Sequence, residues 1–289
     1  MAKSVGTIEV VPSGAALGAD VFGIDLAEGL DAATFQAVED AFNTHSVICL
    51  RDQQVTEDQF IAFARRFGEA EIIFLTHYAH RAYPEIMLVS NIQEDGRNIG
   101  HVDAGRVWHT DMSYTATPPR ATLLYAIEVP EEDGRVLGDT LFASAVAAYD
   151  DLPEATKRRL DGLRAVHRVS GRRRKTGTGK DDNPLRDRQP DVIHPVIRTH
   201  PVTGRKAIYV SEGECVGILG MDNTEALPLL HDLAQRVILP DYRYRHRWRK
   251  GDVLIWDNPA VQHIALRDYE WPRHRRLMHR ITVGGSATF

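Results

Sequence analysis

Two short segments that lie far apart in the chain carry side chains suited to one metal ion. The first is Trp108-His109-Thr110-Asp111, and the second is Asn258-Pro259-Ala260-Val261-Gln262-His263. A histidine and an aspartate two positions apart on an extended segment point to the same side of the backbone, so both can reach one ion. A second histidine completes the set only if the fold brings residues 109 and 263 together.

Two imidazoles and one carboxylate on one side of a metal leave the opposite positions open. This arrangement is typical of non-haem Fe(II) sites, which bind a second ligand and O2 in those positions. The His-x-Asp triplet alone is weak evidence for a metal site, because a chain with thirteen histidines is expected to contain roughly one such triplet by chance. A surface or hydrogen-bonded histidine is the more common outcome.

The chain holds a second such triplet, His101-Val102-Asp103, which lies between Gly100 and Gly105. Flanking glycines and the lack of apolar alternation predict a loop there. The segment after Asp111 runs into Met112-Ser113-Tyr114 and is bounded by prolines, as the end of a strand would be. We therefore favour His109 and Asp111 as the metal ligands.

Composition restricts the class of protein. The 289 residues are 43% apolar and 26% charged, which is ordinary for a globular chain. A net charge of −5 gives no general attraction to nucleic acid or to acidic membranes. Two cysteines, Cys49 and Cys215, without metal-binding spacing suit a reducing compartment. With no apolar leader or membrane span in the sequence, we expect a soluble cytoplasmic protein that has no nucleic-acid or membrane partner.

The pattern of apolar residues predicts many short strands and few helices. Asp31 is placed to cap a first helix, and Thr56-Glu57-Asp58-Gln59 has the pattern of a capping box for a second. Ala143 to Leu163 is helical in character and is broken at Pro153. Because no alternation of strands and helices is present, we predict one domain over residues 1–289, mainly β with flanking helices (α+β) and built as a double-layered sandwich.

Two stretches read as mobile loops, residues 92–107 and 168–189. The second contains Arg172-Arg173-Arg174-Lys175, three glycines and almost no apolar side chain, so it cannot bury itself. A nucleic-acid contact is disfavoured because no aromatic residues interleave with the charges. A charged lid over an anionic ligand would explain the run, and a solvated loop explains it more simply.

Several separated motifs occur together in a recognisable order. They are Trp108-His109-Thr110-Asp111, Gly138-Asp139-Thr140-Leu141, Leu254-Ile255-Trp256-Asp257-Asn258 with Gln262-His263, and Arg275-Arg276-Leu277-Met278-His279-Arg280. Together they resemble the taurine dioxygenase/TfdA family of Fe(II)- and 2-oxoglutarate-dependent oxygenases. The resemblance spans nearly the whole chain and implies a double-stranded β-helix (jelly-roll) core.

The resemblance also implies roles for particular residues. His109, Asp111 and His263 match the iron ligands, while Arg276 and Thr140 match the pair that binds the distal carboxylate of 2-oxoglutarate. Arg280 matches a second arginine near the co-substrate or near an anionic group of the substrate. The chemistry agrees, because a planar guanidinium suits bidentate binding of a carboxylate. Strand alternation places Arg276 and Arg280 on one face.

The activity implied by the family is hydroxylation of a small, anionic organic molecule such as a carboxylate, sulfonate or phenoxy acid. The resemblance also implies Fe(2+) as the cofactor, 2-oxoglutarate and O2 as co-substrates, and succinate and CO2 among the products. The candidate substrate contacts are His77, Tyr78, Met112, Glu214 and Arg280.

The identity of the substrate is open. Taurine-specific relatives carry a histidine a few residues after a Phe-Gly pair, where this chain reads Glu71-Ile72-Ile73-Phe74, which argues against taurine. If Glu214 faces the pocket, a substrate with an amine or a hydroxyl group is favoured.

Two other classes use some of the same residues. A zinc or manganese hydrolase would need the triad but no arginine for a carboxylate. A ligand-binding β-sandwich without catalytic activity would bind no metal at all. We further expect a homo-oligomer, either a dimer or a tetramer.

Overall fold

The computed structural model describes residues 8–73, 75–169 and 189–289. Within these ranges the chain forms twenty strands, most of them short, and five α-helices. The helices are α1 (Ala32–His45), α2 (Glu57–Ala64), α3 (Ala145–Asp150), α4 (Glu154–Leu160) and α5 (Asn223–Val237). None of the helices in the described part of the chain is long and apolar enough to cross a membrane.

The strands, in chain order, are β1 (Glu9–Pro12), β2 (Ala19–Phe22), β3 (Val47–Leu50), β4 (Ala70–Glu71), β5 (Met87–Ser90), β6 (Gln93–Glu94), β7 (Arg97–Asn98), β8 (Ala121–Glu128), β9 (Glu131–Glu132), β10 (Arg135–Val136), β11 (Thr140–Ser144), β12 (Arg164–His167), β13 (Val192–Pro195), β14 (Ile197–Thr199), β15 (Lys206–Ile208), β16 (Cys215–Ile218), β17 (Arg243–His246), β18 (Val253–Asp257), β19 (Val261–Ala265) and β20 (Leu277–Val283). The chain is therefore mainly β with few helices, as the sequence predicts.

One large sheet organises the molecule. Its strand order is β1-β2-β3-β18-β8-β20-β4, and β5 also pairs with β20. Every pairing in it is antiparallel except that of β2 with β3. Since the central strands β18, β8 and β20 come from distant parts of the sequence, the sheet brings the middle and the end of the chain side by side.

Alternation along the central strands gives this sheet two apolar faces. Val253, Ile255 and Leu123 belong to the core under α1 and α2, whereas Leu254 and Trp256 belong to a second core on the opposite face. Successive residues of a strand point to opposite sides, so a strand buried on both faces is apolar throughout. This explains the unbroken apolar run that precedes Asp257.

The two helices on the outer face begin where the sequence predicts. The Asp31 carboxylate accepts a hydrogen bond from the Thr34 amide at 2.7 Å, and Thr56 with Gln59 forms a complete capping box. Such caps satisfy amides that have no partner in the first turn of a helix. Both predicted helix starts are confirmed.

The inner face is covered by a smaller sheet with the order β17-β11-β19. Phe142 on β11 packs against Trp256 of the large sheet, with 5.7 Å between the ring centroids. The sheet β13-β12-β16 and helices α3 and α5 contribute to the same core. The space between the large sheet and β19 is where the candidate site lies.

Some local predictions need correction. The segment of residues 192–199 holds two strands, β13 and β14, which belong to different sheets. The predicted extended segment around Trp108 to Asp111 is not a strand, because only His109 makes a bridge and a turn begins at Asp111. Of the predicted helical stretch from 143 to 163, α3 and α4 on either side of Pro153 are confirmed, whereas residues 143 and 144 belong to β11 and residues 161–163 are not helical.

Only the first of the two predicted loops lies wholly within the described residues. Residues 92–107 include the small hairpin of β6 and β7, and their mobility stays a prediction. Of residues 168–189, the part from 170 to 188, with its run of arginines, lies outside the described residues.

The outer core provides a stability test at Phe67. Its ring makes edge contacts with Phe35, Phe42 and Phe63 at 5.1 to 5.6 Å between centroids. We expect Phe67→Ala to lower the free energy of unfolding by about 3–5 kcal/mol, because a cavity replaces those contacts. The matched control is Phe22→Ala, where the ring is 39% exposed and the expected loss is about 1 kcal/mol or less. Equal losses in chemical denaturation would contradict this packing.

Candidate metal centre

Two histidines are brought together by a pair of backbone hydrogen bonds. The amide of His109 donates to the carbonyl of His263 at 3.2 Å, and the amide of His263 donates back to the carbonyl of His109 at 2.8 Å. His263 lies on β19, so the segment before Asp111 is held against the edge of the smaller sheet. As a result, the two imidazole rings lie 4.2 Å apart between centroids.

Asp111 reaches the same point through a turn. Met112, which follows it, has φ of +48°, and the Thr115 amide donates to the Met112 carbonyl at 3.0 Å. Asp111 Oδ1 lies 3.5 Å from His109 Nε2 and 3.9 Å from His263 Nε2. The ligand atoms of these three residues all lie within 4.8 Å of one another.

Hydrogen bonds occupy one carboxylate oxygen of Asp111 and one ring nitrogen of His109, which leaves the other oxygen and the other nitrogen for a metal. Asp111 Oδ2 accepts hydrogen bonds from the Thr122 hydroxyl at 2.8 Å and from the Trp256 indole at 3.1 Å. His109 Nδ1 lies 2.8 Å from the Val107 carbonyl. A ring nitrogen beside a carbonyl has to carry the proton, so Nε2 keeps its lone pair.

The protonation states also suit a divalent metal. Burial raises the pKa of the Asp111 carboxyl, but Arg280 and the two histidines outweigh this effect and hold that pKa well below its usual value. Burial lowers the pKa of His263 to about 3. At neutral pH the Asp111 carboxyl is therefore ionised and the His263 imidazole neutral. Together with the His109 ring they form a donor set that fits Fe(II) and leaves other positions open.

A cavity joins this triad to two arginines from β20 and the loop before it. Arg280 Nη2 lies 3.0 Å from Asp111 Oδ1. Arg276 is only 3% exposed, and its Nη1 donates to the Gly138 carbonyl at 2.7 Å. Among the described residues no carboxylate lies within ion-pair distance of Arg276. Asp139 and Asp268 act on this guanidinium electrostatically without an ion-pair contact, so its burial makes the site suited to an anionic ligand.

The sequence-predicted residues fall into two groups. His109, Asp111, His263, Thr140, Arg276, Arg280, Met112 and Glu214 all line the cavity. Glu214 is 4% exposed and accepts a hydrogen bond from the Ser211 hydroxyl at 2.6 Å. His77 and Tyr78 are outside the described lining, although Tyr78 packs on His101, which belongs to it, at 4.9 Å between ring centroids.

Two other candidate sets do not fit a metal as well. Asp103 of the second triplet lines the cavity but is paired with Arg267 at 2.6 Å and with Arg106. Cys49, His246 and Asp252 also lie close together, yet Asp252 Oδ2 is 2.7 Å from Arg51 Nη1. None of Cys49, His246 and Asp252 lines the cavity that contains Arg276 and Arg280.

Sequence reasoning missed several residues that shape the site. Thr122 and Trp256 hold Asp111 through hydrogen bonds. The rings of Trp248 and Tyr269 enclose Arg276, and their centroids lie 5.6 and 5.5 Å from its guanidinium carbon. Trp256 could have been found from the sequence, because strand alternation places it and Leu254 on one face of β18, which is the inner face that borders the site. The others come from distant segments and carry no local signal. Together, the fold and the site define an enzyme with an open metal centre of two histidines and one carboxylate.

Comparison with known proteins agrees with this definition. A family model described as "Taurine catabolism dioxygenase TauD, TfdA family" matches residues 9–282. The chain is 33% identical over 288 residues to pentalenolactone F synthase of Streptomyces arenae, covering 95% of this chain and 94% of the relative. It is 35% identical over 266 residues to the alpha-ketoglutarate-dependent 2,4-dichlorophenoxyacetate dioxygenase of Burkholderia sp. (strain RASC), covering 88% and 87%.

Solved structures show the same relationship. The crystal structure of AAD-2 in complex with Mn(II) and N-oxalylglycine superposes with a TM-score of 0.83 and 29% identity, over 98% of each chain. The protein therefore belongs to the TauD/TfdA family and is a non-haem Fe(II)- and 2-oxoglutarate-dependent dioxygenase, an oxidoreductase.

Metal binding can be tested with two histidines of the same cavity. We expect His109→Ala to weaken Mn(II) affinity by at least about 100-fold, because an inner ligand is lost. His101→Ala is the matched control and should stay within about threefold of the wild type, because His101 lines the cavity without joining the triad. Equilibrium dialysis measures both. An equal loss in the two variants, or none in His109→Ala, would contradict the assignment.

Proposed function

We propose that the protein couples oxidative decarboxylation of 2-oxoglutarate to hydroxylation of a small organic anion. His109, Asp111 and His263 hold the iron. Arg276 and Thr140 bind the distal carboxylate of 2-oxoglutarate, and Arg280 is the second arginine beside them. The observation that carries the proposal is the buried guanidinium of Arg276, which lacks a carboxylate partner in the described structure and opens onto the same cavity as the triad.

When bound, iron supplies the oxidative chemistry: 2-oxoglutarate, O2 and a substrate C–H bond yield succinate, CO2 and an alcohol. The side chains of the chain provide placement. Thr122 and Trp256 orient Asp111, and the Val107 carbonyl fixes the tautomer of His109. Burial of the triad excludes water, which strengthens every charge interaction in the site. A metal-dependent hydrolase or a non-catalytic sandwich would have no use for a buried arginine of this kind.

The substrate is proposed to be anionic for two reasons. The 35% identical relative is named for 2,4-dichlorophenoxyacetate, a carboxylate, and Arg280 supplies a guanidinium on the cavity wall. Glu214 lies on the same wall, so we propose that the substrate also carries a hydroxyl or amine that donates to this carboxylate. Met112 completes the proposed substrate contacts. Neither His77 nor Tyr78 lines the described cavity, so their role as substrate contacts stays a prediction.

Three wider features belong to the same proposal. The large sheet with the smaller β17-β11-β19 sheet across its inner face supports a double-stranded β-helix (jelly-roll) core. Cys49 and Cys215 are both buried and neither is in a disulfide, which supports a reducing compartment such as the cytoplasm. The homo-oligomer, as a dimer or tetramer, stays a prediction.

Succinate release tests the function directly. With Fe(II), ascorbate, O2 and a panel of phenoxy acids, sulfonates and carboxylates, wild type should release succinate in a substrate-dependent way. We expect Arg276→Met to raise the KM for 2-oxoglutarate by thirtyfold or more, because loss of a buried charge contact costs about 2–5 kcal/mol.

The neighbouring arginine is the control for that experiment. Arg275 is exposed and pairs with Glu128 at 2.7 Å, so Arg275→Met should leave the KM for 2-oxoglutarate within about threefold. Similar KM values for the two variants would contradict the role of Arg276. A wild-type protein that consumes no 2-oxoglutarate with any substrate would contradict the function itself.

Glutamate variants test the proposed substrate contact. Glu214→Gln keeps the shape but removes the charge, so we expect about a tenfold rise in the KM for the substrate and an unchanged KM for 2-oxoglutarate. Glu212→Gln is the control, because Glu212 is exposed and accepts a hydrogen bond from Gln235 at 3.2 Å. The substrate role of Glu214 fails if both variants turn over substrate like the wild type.

A further inference from the structure

Trp248 stands directly behind both residues assigned to the distal carboxylate of 2-oxoglutarate. It is fully buried and lies in the connection between β17 and β18. Its indole touches Thr140 through a hydrogen bond and Arg276 through its ring face. The position of one side chain therefore affects both contacts to the same ligand group.

The first contact sets the direction of a proton. Trp248 Nε1 donates to Thr140 Oγ1 at 3.0 Å. A threonine hydroxyl has one proton to donate and two lone pairs to accept with, whereas an indole N–H can only donate. Since the indole occupies one lone pair, the proton of the Thr140 hydroxyl points elsewhere. Thr140 lines the cavity, so this proton is available to a carboxylate there.

The second contact places the guanidinium over the face of the indole ring. Arg276 Cζ lies 5.6 Å from the centroid of the Trp248 ring and 5.5 Å from that of Tyr269. The Gly138 carbonyl accepts from Nη1, and a Cβ at Gly138, where φ is +73°, would collide with the guanidinium. Arg276 is thus enclosed by two aromatic rings and a backbone that only glycine allows.

Trp248 is itself held rigidly from behind. The His246 ring meets it edge to face, with 4.6 Å between centroids and an interplanar angle of 84°. His246 Nε2 lies 3.2 Å from Asp252 Oδ2, and the Arg51 guanidinium pairs with that same oxygen at 2.7 Å. This buried cluster gives the indole one orientation, which is what a positioning residue needs.

We propose that Trp248 is a positioning residue for 2-oxoglutarate, which it serves by orienting the Thr140 hydroxyl and the Arg276 guanidinium toward the distal carboxylate. The inference rests on the proposed function, because it takes 2-oxoglutarate as the ligand of this pair. It adds a role for a residue that contacts neither the metal ligands nor the substrate contacts proposed above.

The test uses Trp248→Phe, which keeps an aromatic ring and removes the N–H donor. We expect calorimetric titration of 2-oxoglutarate into the Mn(II)-loaded protein to show about 3–10-fold weaker binding, as for the loss of one hydrogen bond. Binding of 2-oxobutyrate, which lacks the distal carboxylate, should stay within about twofold of the wild type. In turnover, the KM for 2-oxoglutarate should rise while kcat at saturating 2-oxoglutarate changes by less than about twofold.

A second variant separates positioning from a general packing effect. Thr140→Val removes the hydroxyl that Trp248 orients, and in that background Trp248→Phe should weaken 2-oxoglutarate binding by less than about a further twofold. Trp271→Phe, at the partly exposed tryptophan beside Arg275, is the control and should bind like the wild type. An unchanged Mn(II) affinity in every variant shows that the metal centre is intact.

Each alternative outcome has a defined meaning. Fully additive losses in Trp248→Phe and Thr140→Val, or equal weakening of 2-oxobutyrate and 2-oxoglutarate, would overturn the positioning role. Wild-type binding of 2-oxoglutarate by Trp248→Phe would do the same. Failure of the wild-type protein itself to bind 2-oxoglutarate would instead overturn the proposed function, and the inference with it.

Discussion

The whole site depends on one short backbone contact, the pair of hydrogen bonds between residues 109 and 263. It joins the segment before Asp111 to β19, and so connects parts of the chain that only the antiparallel sheets bring near each other. Asp111 then needs only the turn at Met112 to meet both imidazoles. Backbone hydrogen bonds of this kind are insensitive to the identity of the side chains, so the pair of histidines can be kept while the surrounding wall varies.

Two buried charged groups lie around that contact, the Asp111 carboxylate and the Arg276 guanidinium. Asp111 is surrounded by two histidines and Arg280, which keep it ionised despite its burial. Arg276 lies between two aromatic rings and has only backbone to bind within the described structure, which leaves its charge for a ligand. Burying a guanidinium without a carboxylate in ion-pair contact is unfavourable for stability. In this protein the unfavourable burial of Arg276 occurs where 2-oxoglutarate, a dicarboxylate, is proposed to bind.

Sequence reasoning predicted a mainly β fold, which the structure has, and named three residues that the fold brings together, His109, Asp111 and His263. The capping patterns at Asp31 and Thr56 depend on near neighbours, and both are found as predicted. The predicted extended segment is limited to one bridge at His109, and a turn begins at Asp111. The Thr110 hydroxyl between them donates to the carbonyl of Asn258, a contact with a distant residue that carries no local signal. Trp248 was missed for the same reason: its partners Thr140 and Arg276 are remote in sequence and adjacent only in the fold.

The most direct test of the central claim is an anaerobic crystal structure with Fe(II) and 2-oxoglutarate. We predict one iron bound by Nε2 of His109, Nε2 of His263 and the Asp111 carboxylate, with the distal carboxylate of 2-oxoglutarate on Arg276 and Thr140. Iron bound elsewhere, for example at Cys49, His246 and Asp252, or 2-oxoglutarate bound away from Arg276, would contradict the account.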